Sequence, residues 1–130
     1  MAKMIHSMIR VFEEARSVAF YRAAFGLDVA DKLVFDGFTL IYLSNLEEDF
    51  ELELTINHGH GPYDLGDGYG HLAVSVDHLE AAYTQITATG AACTPMRELA
   101  LHGQVVGKFF FVTDPDGYKI EVLQRAGRFK

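Results

Sequence analysis

The 130 residues of this chain carry the same series of structural signals twice, and that repeat limits the fold more than any other property. In the first half, Met4 to Val11 has the pattern of a strand. Ile5, Ser7, Ile9 and Val11 fall on one face and His6, Met8 and Arg10 on the other. Glu13 to Phe25 reads as a helix, with Val18, Tyr21, Ala24 and Phe25 at helical spacing and Gly26 where a C-terminal cap belongs. Two β-prone runs, Lys32 to Phe35 and Phe38 to Leu43, flank an Asp36-Gly37 turn. The acidic break Glu47-Glu48-Asp49 precedes a third run, Phe50 to Asn57.

The second half repeats this order. His71 to Val76 reads as a strand, and Asp77 with Glu80 has the spacing of a capping box. A helix carrying Leu79, Ala82, Tyr83 and Ile86 runs to about Thr89, and Gly90 closes it. The polar segment Thr94 to Gly107 has room for one short strand. Phe109 to Thr113 is a further strand, Asp114-Pro115-Asp116-Gly117 a turn, and Tyr118 to Leu123 the last strand. Between the halves, Gly59 to Gly70 is glycine-dense and reads as a linker. It holds no phosphate-binding loop, and its alternating glycines lack the strand-to-helix context of a dinucleotide fingerprint. The expected fold is therefore α+β: two βαβββ modules, about 4–58 and 69–125, forming curved mixed sheets. Each half alone buries a sheet face poorly, so the halves should combine within one domain or pair with halves of a second chain. The tail beyond Arg125 is expected to fray.

Four polar residues interrupt the apolar strands at matching places. His6 and Glu53 lie in the first and last strands of one half, His71 and Glu121 in those of the other. The histidines are 65 residues apart and the glutamates 68. By period-two alternation Glu53 stands opposite Leu52, Leu54 and Ile56, and Glu121 opposite Ile120 and Val122. His71 stands opposite Leu72, Val74 and Val76 in the same way, so all four side chains point away from the layer that the helices should cover. Enclosed carboxylates without partners are costly, and two side by side repel. A divalent cation resolves both problems. Two imidazoles and two carboxylates form an N/O set suited to Ni²⁺, Co²⁺, Zn²⁺ or Mn²⁺, and the absence of thiolates argues against a structural zinc site.

Composition removes other classes. A formal net charge of −7 argues against a nucleic-acid platform, and no apolar run approaches the ~20 residues of a membrane span. The first residues have no signal-peptide core, and the single cysteine, Cys93, fits a reducing cytosol; a cytoplasmic location is expected. His58 and His60 are close enough to suggest a second metal cluster, but paired loop histidines are usually solvated. Cys93 reads as a small core residue, and neither His78 nor His102 is assigned a role.

With these residues in place, the chain resembles the vicinal oxygen chelate superfamily and, within it, the glyoxalase I (lactoylglutathione lyase) family. The resemblance covers nearly the whole chain. It is carried by His6-Ser7-Met8-Ile9-Arg10-Val11, by Arg16 to Tyr21 through Phe25-Gly26-Leu27, and by Leu52-Glu53-Leu54-Thr55-x-Asn57. It continues through Tyr63-Asp64-Leu65-Gly66, Tyr69-Gly70-His71-Leu72-Ala73 and Asp114-Pro115-Asp116-Gly117-Tyr118-Lys119-Ile120-Glu121. The last string marks the superfamily, whereas the order His, Glu, His, Glu is more specific. Glu53 is the most diagnostic residue, because three-ligand relatives lack it and methylmalonyl-CoA epimerases typically carry Gln there.

The resemblance implies the glyoxalase fold in a homodimer with sites between chains. It implies one divalent metal per site, Ni²⁺ or Co²⁺ favoured and Zn²⁺ possible, held by His6, Glu53, His71 and Glu121, with glutathione as co-substrate. The implied reaction isomerises the methylglyoxal–glutathione hemithioacetal to S-lactoylglutathione by proton transfer through an enediolate that the ion holds. Glu121 is the implied base, with Glu53 able to work on the opposite face. Arg10 and Asn57 match positions that hold the γ-glutamyl end, and Arg97 and Lys108 are candidates for the glycyl carboxylate. Two positions depart from the pattern: His58 stands where many relatives have Trp, and Asp67 where some have Arg, which leaves a thiol other than glutathione open. Rival readings are an epimerase or thiol transferase of the same superfamily, or a small-molecule-binding protein of the same fold.

Overall fold

The computed structural model describes residues 1–130, which divide into two compact units, Met1–Asp64 and Leu65–Lys130. The first contains β1 (His6–Arg10), α1 (Glu14–Phe25), β2 (Asp28–Val34), β3 (Phe38–Ser44) and β4 (Glu51–Asn57). The second contains β5 (Leu72–Val76), α2 (Leu79–Ala88), β6 (Arg97–Leu101), β7 (Gln104–Thr113) and β8 (Lys119–Gln124). Each unit is thus a βαβββ module with one mixed four-stranded sheet, ordered β1-β4-β3-β2 in one and β5-β8-β7-β6 in the other. The first and last strands of each unit pair in parallel, and the remaining neighbours are antiparallel. No helix is long and apolar enough to cross a membrane.

Alternation sorts each sheet into an apolar face and a polar one. In the first unit Ile9, Val11, Ile41, Leu43, Leu52 and Leu54 are buried, together with Ser17, Tyr21 and Ala24 of α1. In the second, Phe110, Val112, Ile120 and Val122 are buried with Leu79 and Ile86 of α2, and the Tyr83 ring meets Phe110 edge-on at 5.1 Å. Burying each Val, Leu, Ile or Phe side chain among these contributes roughly 1.5–3 kcal/mol. The α1 helix ends in a Schellman motif. Gly26 takes φ 64°, its N–H donates to the Arg22 carbonyl, and the Leu27 N–H donates to that of Tyr21. In the turn before β8, the buried Asp114 carboxylate accepts from the backbone N–H groups of Asp116 and Tyr118, each at 2.9 Å.

Several boundaries differ from the sequence expectation. β2 begins at Asp28 rather than near Lys32, because an irregularity between Val29 and Asp31 lets this exposed edge strand pair through a polar stretch. The segment from 94 to 107 holds β6 and the start of β7, not one short strand. Leu101 pairs with Gln104 across a two-residue turn in which His102 and Gly103 both have positive φ, 50° and 75°. That is the backbone of a tight hairpin turn, and Asn-Gly would have signalled it more plainly than His-Gly. Asp77 does not cap α2 in a capping box. The side chain of Gln124 on β8 accepts from the Leu79 N–H at 3.0 Å and donates to the Asp77 carbonyl at 2.7 Å, while the Asp77 carboxylate pairs with Arg125 at 3.2 Å. On α1 Tyr21 and Ala24 are buried as expected, joined by Ser17, whereas Val18 and Phe25 are only half-buried. The C-terminal tail folds back, since Ala126 and Phe129 pair through reciprocal backbone hydrogen bonds.

Candidate metal centre

Each unit brings one histidine and one glutamate together. In the first, parallel pairing sets His6 opposite Glu51 and Met8 opposite Glu53, so the imidazole reaches diagonally to Glu53. His6 Nε2 lies 2.8 Å from Glu53 Oε2. In the second, β5 and β8 pair Leu72 with Ile120 and Ala73 with Glu121. His71, one residue before the strand rather than within it, places Nε2 3.0 Å from Glu121 Oε2. The residues that the sequence singled out thus form two pairs, each on its sheet's polar face. No group of three or more His, Cys, Asp or Glu side chains converges within the chain.

The pair spacing suits a divalent ion. Two donors about 2.1 Å from a metal and at right angles to one another stand about 3.0 Å apart. Both His–Glu separations, 2.8 and 3.0 Å, match that value. Each pair stands at the spacing of adjacent ligands on one ion, which is also that of an imidazole–carboxylate hydrogen bond.

The surroundings add a residue that the sequence reading missed. Tyr42 on β3 is directly opposite Glu53, and its hydroxyl donates to Glu53 Oε1 at 3.3 Å. Its ring also meets the His6 imidazole edge-on, with centroids 5.8 Å apart. Burial first, and then the negative charge of Glu53 beside it, push the phenol above its ordinary pKa, so it stays a proton donor. The signal was present in the alternation of β3, where Tyr42 is the polar-capable residue between buried Ile41 and Leu43. In the second unit the position opposite Glu121 is Phe111, whose ring meets His71 edge-on at 5.1 Å.

The remaining candidates fall in different places. Arg10 is exposed at the end of β1, on the His6 face and opposite Thr55. Asn57 closes β4, and its amide donates to the Tyr63 hydroxyl at 2.9 Å. Arg97 is exposed opposite Phe109, on the face that carries Phe111 and Glu121. Lys108 lies on the opposite side of the strand. It alternates with Phe109, faces away from Glu121 and stands opposite Glu98, 3.8 Å from its carboxylate. His58 and His60 form no cluster: His58 Nε2 meets the Thr39 hydroxyl at 2.8 Å, and His60 stacks on Tyr63.

The chain has relatives over nearly its whole length. A probable lactoylglutathione lyase of Synechocystis is 34% identical over 129 residues, covering 96% of this chain and 97% of its own. The trypanothione-dependent glyoxalase I of Leishmania major superposes with a TM-score of 0.77 at 32% identity, covering 95% of this chain and 87% of its own. Glyoxalase I from Zea mays gives a TM-score of 0.83 at 30% identity, and this chain spans 45% of that longer chain while 96% of it is covered. Residues 3–122 match the profile of the Glyoxalase/Bleomycin resistance protein/Dioxygenase superfamily, and the chain belongs to that superfamily.

Proposed function

We propose that the chain is a lactoylglutathione lyase, a metal-dependent glyoxalase I that converts the hemithioacetal of methylglyoxal and glutathione into S-lactoylglutathione. The observation that carries this reading is the pair of His–Glu contacts at matching strand positions of the two modules. Relatives similar over nearly their whole length, from Synechocystis and from Salmonella typhimurium, bear the same activity in their names. His6, Glu53, His71 and Glu121 would hold the ion, with Ni²⁺ or Co²⁺ favoured over Zn²⁺. A complete donor set needs two pairs, and we read the protein as a cytoplasmic homodimer in which each site takes two ligands from each chain. The two modules act as one glyoxalase-like domain.

When bound, the divalent ion supplies Lewis acidity, which lowers the pKa of the substrate C–H and stabilises the enediolate. The chain's own side chains do the rest. Glu121 takes the proton from the carbon that bears sulfur and returns it to the neighbouring carbonyl carbon, while the hydroxyl proton moves to the new alcohol. Atoms balance, and no electrons enter or leave. Glu53 is the second carboxylate, able to act on the opposite face. Arg10 offers a bidentate contact to the γ-glutamyl carboxylate, with Asn57 beside it, and Arg97 meets the glycyl carboxylate. Lys108, paired with Glu98 on the other face, is left out of this set.

The test is to strip the purified protein, reload it with Ni²⁺, Co²⁺ or Zn²⁺, and follow thioester formation from methylglyoxal and glutathione, with trypanothione in a parallel arm. Turnover with one of these metals and one of these thiols is expected. None with any combination would remove the reading.

A further inference from the structure

The two His–Glu pairs share one construction but differ by one oxygen atom. In each unit an aromatic residue on the adjacent antiparallel strand stands opposite the glutamate and presents its ring edge-on to the histidine: Tyr42 with Glu53 and His6, Phe111 with Glu121 and His71. Only Tyr42 can donate a hydrogen bond. Both oxygens of Glu53 are consequently engaged, Oε2 by His6 at 2.8 Å and Oε1 by Tyr42 at 3.3 Å. Glu121 has the His71 contact at 3.0 Å and no phenol opposite it. Exposure follows the same order, 9% for the Glu53 side chain and 19% for that of Glu121.

We infer that Tyr42 is a positioning residue that makes the two glutamates unequal. It holds Glu53 as the fixed carboxylate, and Phe111 leaves Glu121 as the one free to swing and carry the proton. This inference rests on the proposed shared metal site. A hydrogen bond to a carboxylate is stronger than one between neutral groups and fixes the orientation of its acceptor. Partners that orient a ligand in this way typically change metal affinity by about 10–100-fold when removed. The phenyl at position 111 supplies the same packing against its histidine without that restraint. The exchange of one hydroxyl between positions 42 and 111 should therefore exchange the roles of the two acids.

Two measurements separate this inference from the reading beneath it. The first is Co²⁺ affinity, followed by visible absorption, in a double-mutant cycle of Tyr42→Phe with Glu53→Gln and with Glu121→Gln. Tyr42→Phe should weaken Co²⁺ binding about tenfold while Glu53 is present, have almost no effect in the Glu53→Gln background, and add independently to Glu121→Gln. Equal effects in all backgrounds would overturn the inference. The second is kcat. Glu121→Gln should lower kcat more than Glu53→Gln in the native background, and the order should reverse in the Tyr42→Phe/Phe111→Tyr double variant. An unchanged order with active enzyme overturns the role of Tyr42 and leaves the proposed activity standing. Normal Co²⁺ coupling with no turnover in any background, native included, removes the activity and leaves the positioning role standing.

Discussion

The Glu53→Gln substitution separates a ligand from a structural residue. Glu53 is buried, and its two oxygens face His6 Nε2 and the Tyr42 hydroxyl. A glutamine of the same shape can accept from the imidazole through its oxygen and donate to the Tyr42 hydroxyl through its nitrogen. Both contacts survive as neutral hydrogen bonds, so the metal-free protein should change by no more than about 1 kcal/mol. Metal binding should behave differently. Loss of a residue that merely orients a ligand costs about 10–100-fold in affinity, and loss of the ligand itself should reach at least the upper figure. With Ni²⁺ at a hundred times the native Kd, binding stabilises the native protein by about 2.7 kcal/mol, whereas a hundredfold weaker variant gains only about 0.4. A chain of this length loses about 0.27 kcal/mol of stability per degree near its midpoint, so the metal should raise Tm by about 10 °C in the native protein and about 1–2 °C in the variant. Thermal unfolding of both proteins with and without Ni²⁺ reads these shifts directly. Equal metal-induced shifts would refute the ligand role, and a variant already unfolded without metal would refute the claim that glutamine keeps both contacts.

Other sites yield independent expectations. Gln124→Ala removes the acceptor for the Leu79 N–H and the donor to the Asp77 carbonyl, which should destabilise the protein by about 1–2 kcal/mol in urea unfolding; no change would mean that water caps α2 equally well. Burial raises the Cys93 pKa, so at pH 8 iodoacetamide should label the folded thiol several-fold more slowly than the urea-unfolded one, of the order expected for a smaller thiolate fraction. The same shift means that the unfolded chain ionises first, so stability from this group falls as pH rises through the unfolded thiol pKa, and equal labelling rates would contradict it. A methyl group at Gly107 would sit 2.9 Å from the Phe129 ring. Gly107→Ala should therefore release the C-terminal tail to proteolysis without unfolding β7, and a tail no more sensitive than that of the native protein would show that the ring simply shifts aside.

What was legible in the sequence were the features set by periodicity and by strong turn residues. The alternation runs unbroken through Glu51 to Asn57 and from Tyr118 to Val122, with Leu123 the apolar exception, and it puts Glu53 and Glu121 on the faces where they stand. Gly26 and the Asp114-Pro115-Asp116-Gly117 turn close their elements as expected because each supplies a backbone conformation or carboxylate that the turn requires. The misses share a cause, which is that a distant partner decides. Gln124 caps α2 from 45 residues away, and no local pattern around Asp77 reveals a donor on another strand. The early starts of β2 and β7 depend on pairing partners in β3 and β6 that override a polar stretch and a glycine. Lys108 is a candidate because it flanks the segment from 94 to 107, and its alternation with Phe109 already sets it on the face away from Glu121.

The sequence separations within the pairs follow from the topology. His6 and Glu53 are 47 residues apart, and His71 and Glu121 are 50 apart, yet each pair is in contact. Parallel strands cannot be joined by a tight turn; a crossover of a dozen or more residues must separate them. Here the crossover is a helix followed by a hairpin, which fills the sheet inward from the far edge strand β2 to β3 and leaves the last strand to slot in between β3 and the first. The βαβββ order is therefore the device that brings residues from opposite ends of a module onto neighbouring strands, and register alone then selects which residues meet. Because side chains alternate with a period of two, a one-residue slip of β4 against β1 would turn Glu53 toward α1 and bring Leu52 or Leu54 beside His6. Deleting Asp49, in the loop before β4, leaves the register free to be kept by the apolar face, whereas deleting Leu52 forces a choice between core and carboxylate. The first deletion should preserve metal affinity and the second should abolish it, and retention of metal binding by a folded Leu52 deletion would show that something other than strand register places Glu53.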